Sequence, residues 1–169
     1  MPAIDAQWKA HDRALHWSHV LEWQVTRLRE ARGQVVASQE RVRITQVYEF
    51  CDRWPFFKLD AEAHFTLVAA RQLLRALKAF DGNDRFPASL PDDKLRLLRD
   101  ALEHWDEPTG RASRQMEALE VDPHSHQWSS STAEGVLGDL VTDESLRQWA
   151  ADVYIEMQAW DPESRRPGI

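Results

Sequence analysis

Apolar residues recur along this chain at intervals of three and four, and that spacing predicts helices. In residues 5–31, Trp8, Leu15, Val20, Leu21, Val25 and Leu28 mark a first long helix, with Gly33 as its predicted stop. A second helix, 37–53, is expected to bury Val42, Val47, Tyr48 and Cys51. It should end before Trp54-Pro55, because the residue preceding a proline is pushed out of helical geometry. The stretch 54–59, WPFFKL, reads as an apolar connector pinned to the core. Asp60 is the expected N-cap of a third helix, 61–80, whose stripe Phe65, Val68, Leu73, Leu77 and Phe80 is the clearest in the chain. Turn residues then follow in DGNDRF, 81–86.

A fourth helix spans 91–108, and Ser89 with Asp92 three residues on resembles a capping box at its start. At about 100° per residue, Leu95, Leu98, Ala101, Leu102 and Trp105 fall on one arc that must face the rest of the protein. After Pro108-Thr109-Gly110 comes a short helix, 111–120. The polar stretch 122–135 is flanked by extended pieces near Trp128 and 136–137, which predict a small β-hairpin within 126–141. A last helix begins at Thr142 or Asp143 and runs to about Trp160, with the stripe Leu146, Trp149, Ala150, Val153, Met157, Trp160. The expectation is an all-α, up-and-down bundle of five or six helices with one small hairpin, its core anchored by tryptophans. Residues 1–160 form its single domain and 161–169 a frayed tail.

Composition narrows the class. With 169 residues, 43% apolar and 29% charged, the chain is long enough for a real core and too apolar for a disordered one. No apolar run approaches the roughly 20 residues that span a bilayer, and the first residues lack a secretory apolar segment. One cysteine, Cys51, excludes an internal disulfide and fits a reducing cytoplasm, where it reads as a small core residue. The net charge of −7 is unevenly spread: +1 over residues 1–53, −2 over 54–110 and −6 over 111–169. That excludes a general nucleic-acid binder, which needs clustered Lys and Arg. Any RNA would be held locally, or in a groove shared with a partner.

Chemistry concentrates on the fourth helix. Arg99 is followed by the polar Asp100 and, after four intervening residues, by His104, with the acidic close EHWDE ahead of Pro108. Together with the long apolar helix that precedes it, this helix resembles the signature helix of the HEPN family. The resemblance covers residues 60–108. It implies an all-α fold, no cofactor, a homodimer in which two motif helices face each other, and a metal-independent endoribonuclease or a non-catalytic relative. It further implies a toxin or defence setting with an antitoxin-like protein partner. Carried over residue by residue, Arg99 would grip phosphate, His104 would move protons at the ribose 2′-OH or the leaving 5′-oxygen, and Asp100 would orient or polarise. Attack by a 2′-OH restricts such chemistry to RNA. Arg71, Arg75 and Lys78, at i, i+4 and i+7, make a basic line along the third helix that would bind substrate. Two departures stand out: Asp106 occupies the place of a tyrosine that some members carry, and residues 91–108 sum to −3.

Two other readings need no ribonuclease. His16 and His19, with His11, His64 or the pair His124 and His126, could hold a divalent metal as in a DinB-like bundle, although no H-E-x-x-H is present. Alternatively, the chain is an accessory bundle that dimerises without catalysis through its 143–160 stripe.

Overall fold

The computed structural model describes residues 2–81, 92–103, 110–120, 136–137 and 140–160. Among these are five α-helices and a two-stranded ribbon: α1, Pro2–Thr45; α2, Trp54–Asp81; α3, Asp92–Glu103; α4, Arg111–Ala118; β1, Val136–Leu137; β2, Val141–Thr142; and α5, Asp143–Gln158. The all-α bundle expected from periodicity is present. No helix of the described residues is long and apolar enough to cross a membrane.

Helix α1 is the spine, about 66 Å long at 1.5 Å per residue. Helix α2 runs back along it. Arg27 donates to Glu62 Oε1 at 3.1 and 2.5 Å, Thr66 Oγ1 lies 3.5 Å from the Gln24 carbonyl, and the rings of His11 and Phe80 meet at 6.2 Å. Helix α5 also runs antiparallel to α1. Arg32 pairs with Asp143 at its start, His19 packs on Tyr154 at 4.3 Å, and His11 Nε2–H donates to the Met157 carbonyl at 2.9 Å. Helix α3 packs on α2, and α4 on α3. The core between them holds Leu21, Val25 and Leu28 of α1, Leu67, Leu73 and Leu77 of α2, Leu95 and Leu98 of α3, and Leu146, Val153 and Met157 of α5.

The two helices expected over 5–31 and 37–53 are one. Gly33 does not stop α1, because it lies on an exposed side where a Cβ would meet nothing within 4 Å. Glycine costs a helix interior about 1 kcal/mol relative to alanine. The burial of Ala31, Arg32 and Val35 around it outweighs that. The reversal comes later, at 46–49, where Gln46 takes a left-handed φ of 55°. A single 3-10 turn, Phe50–Arg53, then leads directly into α2.

Four further expectations about this region are corrected. The stretch 54–59 is the first part of α2, not a connector: Pro55 sits in the first turn, where its missing N–H is not needed. Asp60 therefore lies inside the helix and caps nothing. Val47, Tyr48 and Cys51 are exposed rather than buried, because they follow the end of α1 at the bend. Phe65 is exposed as well. The buried line of α2 runs instead through Leu59, Ala63, Leu67, Ala70, Leu73 and Leu77, with alanines letting α1 approach closely.

Val136–Leu137, expected as one strand of a small hairpin, pairs antiparallel with Val141–Thr142, Val136 opposite Thr142 and Leu137 opposite Val141. Helix α5 begins where expected: Thr142 Oγ1 accepts from the Ser145 N–H at 3.1 Å, which satisfies one of the amides that a helix start leaves open. Of the tryptophans, Trp149 is in the core and Trp160 packs against it, whereas Trp23 and Trp54 are exposed. The capping residue Ser89, the extended piece near Trp128 and the tail 161–169 lie outside the described residues.

Candidate functional site

Helix α3 forms as its pattern demands. Leu95, Leu98 and Ala101 are buried against α2, and this fixes which flank each polar residue occupies. Arg99 emerges half-buried at the edge of that contact. Its Nε and Nη2 donate to Asp100 Oδ1 at 3.2 and 2.6 Å, so the carboxylate next in sequence orients the guanidinium. The two side chains are 28% and 36% exposed, so both reach the surface at this edge.

On α2, Arg71 is partly buried and lies within the electrostatic reach of this pair. Burial holds its pKa below the ordinary arginine value; the guanidiniums of Arg99, Arg75 and Arg96 press in the same direction, and Asp100 presses against it. Four cations from two helices therefore act on one another, with the Asp100 carboxylate beside them. Like charges gathered at a half-dry edge repel, and an anion bound there relieves the repulsion. Arginine forks match the paired oxygens of phosphate and carboxylate. Chemically, the arrangement suits an oxyanion.

The structure thus brings together Arg71, Arg75, Arg99 and Asp100 from the sequence-based set. Lys78 lies one to two turns further along α2, exposed. His104 lies outside the described residues. Arg96 was not among the candidates, although its position three residues before Arg99 puts both on one flank of α3 and could have revealed it.

Among the described residues, the histidines expected for a metal do not gather. His16 and His19 are exposed and stack on Trp17 and Tyr154, while His11 is buried against Trp160. Among the described residues no three His, Cys, Asp or Glu side chains are close enough to hold a metal ion. His124 and His126 lie outside them. Leu146, Trp149, Val153 and Met157, expected as a dimer stripe, are all within the core of one chain, because α5 packs that face on α1. Compared with protein-family models, with curated proteins and with solved structures, the chain matches none.

Proposed function

We propose that this chain is a cytoplasmic, HEPN-like RNA-binding protein that acts as a metal-independent endoribonuclease through Arg99, Asp100 and His104. The observation that supports this reading is that Arg71, on one helix, feels the charges of Arg96 and of the Arg99–Asp100 pair on the other, as well as that of Arg75 on its own. A basic line and a motif arginine on different helices had no need to meet, and here they share one edge. In the proposed mechanism the arginines hold the scissile phosphate and neutralise the charge that builds on it. His104 takes the proton from the 2′-OH, the 2′-oxygen displaces the 5′-oxygen, and a cyclic phosphate results. A second copy's motif helix supplies the facing wall, and an antitoxin-like protein would cover the same cleft.

The test is incubation of the purified protein with total RNA in EDTA, with Arg99→Ala and His104→Ala in parallel. Cleavage by the wild-type chain alone, leaving 2′,3′-cyclic ends, is the expected result. Binding of a short single-stranded RNA is followed by anisotropy in the same buffer. Arg71→Ala should weaken it by about 1.5–3 kcal/mol, the worth of a charged hydrogen bond. A wild-type protein that neither binds nor cuts RNA refutes the proposal.

A further inference from the structure

The bend between α1 and α2 is a built structure. Asp52 is buried beneath it, paired with Arg41; its Oδ2 accepts from the Glu49 N–H at 2.7 Å and its Oδ1 from Ser38 Oγ at 3.2 Å. Arg43 forks onto Glu40 with two contacts of 2.7 Å, and Arg53 Nε donates to the Tyr48 hydroxyl at 3.1 Å. The ion pairs of α5 with α1 end at Arg32, so α1 continues for residues 33–45 past them and the bend stands at that end of the bundle. On it Ile44, Val47, Tyr48, Phe50, Trp54 and Phe57 all face outward, with Phe50 at 79%, Trp54 at 70% and Ile44 at 66% exposure.

From the size of aromatic side chains this tip exposes on the order of 700 Å2 of apolar surface. That exceeds the roughly 300–600 Å2 of the largest patch on a typical monomer. It comes near the ~800 Å2 that each partner gives to a standard interface. We propose that the tip is a docking surface for the same tip of a second copy, joining two chains end to end. Charge selects this occupant. A chain of net −7 repels its own kind over most of its surface, yet residues 40–58 hold four basic and three acidic side chains. Most are tied to one another within the tip, so the face carries apolar groups and little unbalanced charge. Two such faces meet with the charges of Arg41, Asp52, Arg43 and Glu40 already paired. A lipid surface is the poorer fit, because anionic headgroups reward clusters of free Lys and Arg, and of the four basic side chains here Arg41 and Arg43 already hold carboxylates, leaving Arg53 and Lys58.

The experiment is sedimentation equilibrium of the full chain at micromolar concentration beside Phe50→Glu/Trp54→Glu, whose changed residues support no core and leave the helical circular dichroism intact. The wild-type assembly should have at least twice the mass of the variant, more if the chain also pairs through a second face, and Arg99→Ala should keep the wild-type mass. Equal masses for the wild type and the tip variant overturn the proposal. So does tip-dependent co-sedimentation with phosphatidylserine vesicles in the absence of a mass difference.

Discussion

Asp143 and Glu144 are neighbours at the start of α5 and behave oppositely. Asp143 is buried between Arg32 and, at 3.7 Å, Arg29; desolvation lifts its pKa above the usual carboxylate value in spite of both arginines. Glu144 lies in solvent, and its hydrogen bonds to Arg147 and Arg29 draw it down to about 2. A carboxylate whose folded pKa is depressed adds stability above its unfolded pKa and loses it as pH falls through the folded value. Glu144 therefore contributes above about 4.5 and is lost toward 2. Asp143 has the reverse slope, costing stability as pH rises from 3.8 through its raised pKa. Glu144→Gln should remove part of the acid-side loss, so that urea midpoints at pH 3 and pH 7 lie closer together than in the wild type. Asp143→Ala leaves Arg32 buried without its carboxylate and should cost about 3–5 kcal/mol, while Arg32→Met with Asp143→Leu recovers most of it. Urea unfolding of the three variants measures both effects.

At this same scale, the candidate site could be read in the sequence only in part. The spacing of Arg71 and Arg75 put them on one side of their helix, and the polar residue after Arg99 marked its orienting partner. Which side of α2 would meet which flank of α3 depends on how the two apolar stripes pack. No single-helix pattern contains that, although the i, i+3 spacing of Arg96 and Arg99 already set them on one flank.

At the scale of elements, the described parts of α3, α4 and α5 are where the 3.6-residue period places them, and α5 starts at its expected cap, because each has one apolar face. Helix α1 was misread as two, since a glycine outweighs its neighbours in a local reading and not in a packed helix. The difference can be measured directly. Gly33 is exposed inside a continuous helix, and a methyl group there touches nothing. Gly33→Ala should stabilise the protein by about 0.5–1 kcal/mol. For a chain of this size that is a rise in melting temperature of roughly 1–4 °C. A helix that broke at 33 with the glycine as its cap would be destabilised by the same change. The bend was misread for a related reason: exposed aromatics and core aromatics look alike in sequence, and only the end of α1 decides between them.

For the molecule as a whole, the balance between a −7 net charge and a local arginine cluster sets what RNA binding, as proposed, must look like. Each phosphate neutralised on a single strand releases about 0.7 of a counterion, which makes affinity fall with salt in proportion. With Arg71, Arg75, Arg96 and Arg99 as the contact set, the slope of log affinity against log salt should be no steeper than about −3. The acidic surface around the cluster adds repulsion that salt screens, which flattens it further. Arg75 is exposed and supports no core, so Arg75→Ala should reduce the slope by about 0.7 without changing the melting temperature. A slope much steeper than −3 means that RNA tracks a longer basic path than these four residues provide. A slope unaffected by Arg75→Ala means that the phosphates lie elsewhere.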